Sequence, residues 1–306
     1  ANTTGPNNVA VGATSLQANT TGSNQTAVGH GVLLANTTGY RNTAIGAAAM
    51  AANTTGIYNT AIGFTALDAN TTANSNTSMG YASMTTNTTG GTNVAVGAYA
   101  LTANTTASNN TAVGYDSLKA NTTGGGNTAF GSAAGNSITT SVNNTCIGTN
   151  ADSNGTTGNG NISIGNNAQK STVTSAGQCT LGDSAITNLR CNDTSISSLS
   201  DSRDKTNIVD IPLGLNFLNT VRPVSFDWDR RDGSMVGKKD FGFIAQELKT
   251  AADATVYADH MRLVQDDNPN KLEADPMKMF PILVKAIQEL SAQNAALTAR
   301  IETLEG

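Results

Sequence analysis

Small and apolar residues alternate with polar ones in short bursts over residues 1–183, and the bursts return every 17 residues. "ANTTGPNNVAVGATSLQ" fills residues 1–17 and "ANTTGSNQTAVGHGVLL" fills 18–34. Copies begin at 1, 18, 35, 52, 69, 86, 103 and 120 without insertion or deletion, and three weaker ones continue in frame to about residue 183. Down the columns, glycine is unbroken from Gly12 and Gly29 to Gly165 and Gly182. The residue before it is always apolar, from Val11 and Val28 to Ile164 and Leu181, and the one before that is always small. A threonine column runs from Thr4 to Thr174. A second apolar column, Leu16, Leu33, Met50, Leu67, Met84, Leu101 and Leu118, lapses at Gly135 and Asp152. A strict period with so little apolar content per copy marks a solenoid, in which each copy stacks on its neighbours.

Seventeen residues are too few for a helix pair and suit one coil of β-structure. In "NTAVG", Thr26 and Val28 share one face of a strand while Ala27 and Gly29 share the other. The bulky Val11–Leu181 column is therefore expected to be buried, and the bare Ala/Gly face to admit backbone or a second chain. "NTTG" is expected to be a corner with Asn and Gly at positive φ, its Asn and Thr side chains hydrogen-bonded from coil to coil. At a strand spacing of about 4.8 Å, eleven coils make a rod on the order of 50 Å long. So thin a core is marginal alone, which predicts assembly about a shared axis. The (Asn/Thr)-x-Ala-(Val/Ile)-Gly motif resembles the head repeats of trimeric autotransporter adhesins. That resemblance covers residues 1–183 and implies a trimeric parallel β-roll.

Beyond residue 183 the period stops. Residues 184–199 are polar with short apolar pulses, a neck rather than a core. "VRPVSFDW" (221–228) predicts a strand, and "DFGFIAQEL" (240–248) a strand running into a helix. In the last segment Leu283, Ile287, Leu290, Asn294, Leu297, Ile301 and Leu304 alternate by four and three, a heptad seam with Asn294 at an a position. The predicted fold is mainly β: a trimeric parallel β-solenoid shaft over 1–183, a neck over 184–199, and a small α+β domain over 200–306 that ends in a coiled-coil helix at about 281–305.

Charge divides the chain at the same place. Residues 1–182 carry only Arg41, Asp68, Asp116, Lys119, Asp152 and Lys170, so the net charge of −5 averages two unlike regions. Neither region is basic enough for nucleic acid, and no apolar run approaches a membrane span. His30 and His260 stand alone, which predicts no metal site and no cofactor. Cys146, Cys179 and Cys191 lack CxxC spacing, and the first two fall in strand columns, where buried free thiols are expected. The Asn-Thr-Thr sequons are expected to serve as corners rather than as glycan acceptors. The chain starts inside a repeat, which predicts a piece of a longer protein.

"LSDSRDKTNI", "RPVSFDW", "GFIAQEL" and "PILVKAIQELSAQNAAL" stand in order over roughly residues 198–306. They resemble the C-terminal intramolecular chaperone domain of bacteriophage tail fibres and tailspikes, a trimer-forming, self-cleaving module with a Ser-Lys dyad. The resemblance implies Ser200 as nucleophile and Lys205 as general base, with the fixed positions Asp201 and Arg203 also present. A lysine serves as a base only where burial or nearby cations favour its neutral amine. Attack on the carbonyl of Leu199 passes through a five-membered ring and attack on Ser200's own carbonyl through a four-membered one, which favours scission of Leu199–Ser200 in cis. Attack from a neighbouring chain leaves Ser200–Asp201 open. Arg203 or a backbone N–H is a candidate oxyanion donor or structural support.

A repetitive rod needs such a device, because slipping by one coil re-matches nearly every column and long-range pairing nucleates slowly. The resemblance further implies a homotrimer, a virion tail assembled in the host cytoplasm, and a host cell-surface receptor, glycan or protein, bound by the mature fibre. The alternative is a non-enzymatic bacterial trimeric surface adhesin, which predicts a C-terminal β-barrel anchor. The soluble coiled coil counts against that alternative. A third reading, an ice-binding threonine face, leaves the C-terminal region unexplained.

Overall fold

The computed structural model describes residues 3–152, 154–186, 189–190, 200–231, 233 and 235–305. The chain forms two compact units, Ala1–Ile186 and Thr187–Gly306. Cys191 and most of the expected neck, residues 191–199, lie outside the described residues.

The first unit is a parallel β-solenoid. Eleven three-residue strands, from β1 (Val9–Val11) to β11 (Cys179–Leu181), pair in parallel in sequence order. The register steps by one repeat each time: β2 (Thr26–Val28) sets Thr26, Ala27 and Val28 against Val9, Ala10 and Val11. Backbone bonds also cross between coils outside the strands, as from Thr54 N–H to the Thr71 carbonyl at 2.9 Å and from Leu67 N–H to the Ser83 carbonyl at 3.0 Å. The coils thus satisfy one another's polar backbone without a conventional sheet edge inside the stack.

The interior reverses the expected burial of the strand. The small middle residues, such as Ala27, Ala44, Ala61, Ala95 and Ala112, are fully buried. The Val11–Leu181 column instead faces outward in the single chain: Ile45 is 38% exposed and Phe130 59%. The reason is the width of the coil. Leu33, Met50, Leu67, Met84, Leu101 and Leu118 fill the interior, leaving room beside them only for a methyl, a thiol or a hydroxyl.

Those leucines and methionines enter the core from left-handed backbone, as at Leu67 with φ 54°. Each such residue costs on the order of 1–2 kcal/mol. Burying its side chain returns roughly 1.5–3 kcal/mol.

The corners differ from expectation too. In "NTTG" neither Asn nor Gly takes positive φ; the left-handed positions are those of Asn24 (φ 55°), Ala48 (φ 57°) and Leu33 (φ 49°) and their equivalents. The Asn side chain turns inward and builds a ladder. Asn36 Nδ2 donates to Asn19 Oδ1 at 2.8 Å, and Asn53 donates to Asn36 likewise. A second ladder runs through Asn42, Asn59 and Asn76, each carboxamide oxygen accepting from the next residue's backbone N–H at 2.9 Å. The sequon asparagines from Asn19 to Asn121 are fully buried, so in the folded rod none presents its amide for glycosylation.

The glycine column is required twice over. Gly97 sits at φ +135°, and a Cβ there would lie 2.4 Å from the carbonyl oxygen of Gly114 in the next coil.

In the second unit, the residues of "VRPVSFDW" and "DFGFIAQEL" pair as an antiparallel hairpin of β12 (Val224–Asp227) and β13 (Lys239–Gly242), and α2 (Ala245–Asp253) and the short α3 (Ala258–Met261) follow. A short α1 (Leu215–Leu218) packs on the long terminal α4 (Phe280–Glu305). The small β14 (Val264–Gln265) and β15 (Glu273–Ala274) pair was not expected. Phe217, Leu248, Ala252, Met261, Leu263, Met279 and Ile282 form the core of this unit. α4 therefore has two faces: Ile282 and Ala286 are buried against the unit, whereas the heptad residues Ile287, Leu290, Leu297 and Ile301 are exposed.

Candidate functional site

Ser200 to Lys205 form one compact turn. Asp201 is its N-cap: the carboxylate accepts from the Arg203 backbone N–H at 2.9 Å, starting a 3-10 turn over Ser202–Asp204. Lys205 ends the turn with its backbone N–H donating to the Ser202 carbonyl. That single turn shortens the separation enough for the two side chains to meet. Lys205 Nζ lies 2.6 Å from Ser200 Oγ and 3.1 Å from the carbonyl oxygen of Ser200 itself.

Arg203 does not face the serine. Its guanidinium grips the Asp201 carboxylate, Nε at 3.0 and 3.1 Å and Nη2 at 2.5 Å. This fork-like pairing holds the Asp201 carboxyl below the ordinary carboxylate range, through the Arg203 side-chain hydrogen bond first and its backbone N–H second. Arg203 is thus placed as the arm that braces the turn. Leu199, whose carbonyl is the expected point of attack, lies outside the described residues. Every residue of the turn is exposed in the single chain.

Further along, two other sequence motifs meet. Arg222 of "VRPVSFDW" pairs with Glu247 of "DFGFIAQEL", Nε to Oε2 at 3.0 Å and Nη2 to Oε1 at 2.5 Å. Glu289 of α4 reaches back to cap α1, its Oε2 accepting from the Leu215 N–H at 2.8 Å. Gly214 makes room for that carboxylate, which a Cβ would meet at 2.3 Å. Neither contact is visible in local sequence, because the partners lie 25 and 74 residues apart.

No group of three or more His, Cys, Asp or Glu residues suited to a metal ion occurs among the described residues. No helix among them is long and apolar enough to cross a membrane. Of the two described cysteines, Cys146 is buried as expected, whereas Cys179 is exposed because its column faces outward at β11.

Sequence reasoning missed one further cluster. Asp152 and Lys170 are wholly buried in the solenoid, beside Cys146. The signal was present: Asp152 occupies the leucine column, and Lys119 and Lys170 are the only cations that follow Arg41 in the repeats.

The profile of the family described as "Chaperone of endosialidase" (Peptidase_S74) matches residues 200–257, the stretch that begins at Ser200 and includes Lys205, Arg222 and Glu247. No curated protein and no solved structure matches the chain. The matched segment and the β-solenoid together fit a tail-fibre-like protein, in which a C-terminal intramolecular chaperone serves a β-solenoid fibre.

Proposed function

We propose that the chain is the distal part of a phage tail fibre or tailspike. In this reading its C-terminal unit trimerises, aligns three rods in register, and then cuts itself free beside Ser200. The observation that carries the proposal is the 2.6 Å approach of Lys205 Nζ to Ser200 Oγ, inside the segment that matches the chaperone family. In the reaction the neutral Lys205 amine takes the Ser200 hydroxyl proton as Oγ attacks the Leu199 carbonyl carbon. The protonated lysine then returns a proton to the departing Ser200 nitrogen. Water releases the resulting ester.

A base of this kind works best when desolvated. The turn is exposed in the single chain, so assembly supplies the missing cover. This ties cleavage to completed folding: a chain that has not trimerised does not lose its chaperone.

Two exposed apolar ladders support the trimer, the outward Ile45–Met79–Phe130 column of the rod and the heptad seam of α4. The face expected to pack, the bare Ala/Gly one, is already closed within each coil. Once the chaperone is gone, the rod persists behind a high barrier to unfolding rather than through its nucleus. Its receptor-binding role on the host surface belongs to the same proposal.

Denaturing electrophoresis of the natively assembled chain tests it. Wild type should give a rod fragment ending near Leu199 and a released piece that spans 200–306. Ser200→Ala should remain whole. A wild-type chain left whole after native assembly near neutral pH would overturn self-cleavage.

A further inference from the structure

Two columns of the solenoid change together at one place. The inward asparagine ladder ends at Asn121, and its next positions are Ile138 and Gly155. The leucine column ends at Leu118, and its next positions are Gly135 and Asp152. Ile138 fills the space left by Gly135, where a Cβ would sit 3.1 Å from its Cδ1. One coil further, Gly155 opens the asparagine slot altogether. A Cβ on it would lie 2.5 Å from Asp152 Oδ1, Lys170 Cε and Lys170 Nζ alike.

The lysine amine therefore occupies the space vacated by the asparagine ladder. The carboxyl group it meets occupies the space vacated by a leucine.

Both side chains have zero exposure, and Lys170 Nζ is 3.7 Å from Asp152 Oδ2. The amine donates to the Thr157 carbonyl at 3.0 Å, and Asp152 Oδ1 has no partner among the described residues. Burying two charges with an unpaired oxygen is costly. Burial pushes the Asp152 carboxyl up toward its neutral acid form against the opposing pull of Lys170. The two groups face each other with water excluded. The Cys146 thiol, 3.9 Å from Asp152 Oδ2, is a further donor to that oxygen, and burial keeps it protonated.

We propose that Asp152 and Lys170 condense into a side-chain amide that locks the ninth coil to the tenth. Lys170 Nζ bonds to Asp152 Cγ, the carbon–hydroxyl bond breaks, and the hydroxyl leaves with one amine proton as water. No oxidant and no cofactor are needed. The reaction replaces a buried ion pair, whose desolvation is unfavourable, with a neutral amide. It also ties together two coils where the leucine and asparagine ladders have stopped holding them. The crosslink is independent of cleavage beside Ser200, since both residues stay with the rod.

Trypsin reads the bond directly. Between Lys119 and Arg190 the chain has one site, after Lys170. Folded wild-type chain, aged, denatured and digested, should yield residues 120–190 as one peptide lighter by one water, with fragment spectra placing the link between Asp152 and Lys170. Lys170→Arg should be cut into 120–170 and 171–190, both at full mass. Asp152→Ala should be cut after Lys170 in the same way. Wild-type peptides 120–170 and 171–190 at full mass would overturn the proposal. So would a loss of water confined to 120–170, which would mark a local cyclisation at Asp152. Because the decisive reading is on wild type, poor folding of either variant does not blunt the test.

Discussion

Lys205 Nζ sits 2.6 Å from Ser200 Oγ because one 3-10 turn, capped by Asp201 and braced by Arg203, folds the chain back between them. A lysine in that position has two separable properties, a positive donor and a removable proton. Arginine keeps the first and lacks the second. Lys205→Arg should therefore leave assembly intact and slow self-cleavage by at least about 10²-fold, the lower range for a lost general base. The released fragment would be timed on denaturing gels. Cleavage at the wild-type rate would reduce Lys205 to a structural cation.

The exposed seam of α4 predicts the assembly state. Leu290 and Leu297 are 47% and 54% exposed in the single chain, although they sit at heptad positions. Replacing both by lysine should leave the helix and the small core around Ile282 in place while preventing association. Sedimentation equilibrium should show a trimer for wild type and a monomer for the double variant. A wild-type monomer would remove the basis for the chaperone reading.

The asparagine ladder should be strongly stabilising at each rung. Asn70 donates to Asn53 Oδ1 at 2.8 Å and to the Ala73 carbonyl at 3.2 Å, and it accepts from Asn87. Asn70→Ala leaves those buried groups unpaired, at about 1–3 kcal/mol for each one left without a partner. Asn70→Asp should be worse, since a carboxylate would face the Asn53 and Ala73 oxygens. Chemical denaturation of the two variants checks the order.

At the glycine column and at Thr88, in the column beside the Thr4–Thr174 one, the same change, to valine, should behave very differently. Gly97→Val forces a side chain to within 2.4 Å of the Gly114 carbonyl oxygen and demands φ +135° of a β-branched residue. Thr88→Val removes one hydrogen bond, to the Thr105 carbonyl at 3.1 Å, worth about 1 kcal/mol. Gly97→Val should abolish soluble rod, while Thr88→Val should lower the melting temperature by a few degrees. Equal effects would mean that the two columns are wrongly assigned.

Alkaline stability should depend on Cys146. Burial first, and Asp152 second, push its thiol up to about 12, against about 8.5 for a thiol in an unfolded chain. The folded value is the higher one, so the stabilisation is fully present below the unfolded value. It is lost as pH rises from about 9 toward 12, because the unfolded chain releases the proton first. Cys146→Ala, which restores the residue found at Ala112 and Ala129, should flatten that part of the denaturation profile. An unchanged slope between wild type and variant would place the ionisation elsewhere.

Periodicity and short spacing were enough to establish several features from sequence alone. The repeat register, the strand at every "TAV" or "TAI", the glycine column, the Ser200–Lys205 separation and the α4 heptad each depend on residues adjacent in sequence or repeated at a fixed interval. Strand alternation also separated Ala27 from Val28, but it put the bulky Val28 side inside, and the structure reverses that assignment. The tertiary structure decided that, because left-handed backbone at the Leu33–Leu118 column turns those large side chains inward, leaving space beside them only for small residues. Contacts across long separations were decided there as well. Arg222 meets Glu247, and Glu289 caps Leu215, because the fold of the small unit brings them together. Asp152 and Lys170, on successive repeats, meet because stacking one coil on the next brings both side chains into a shared cavity.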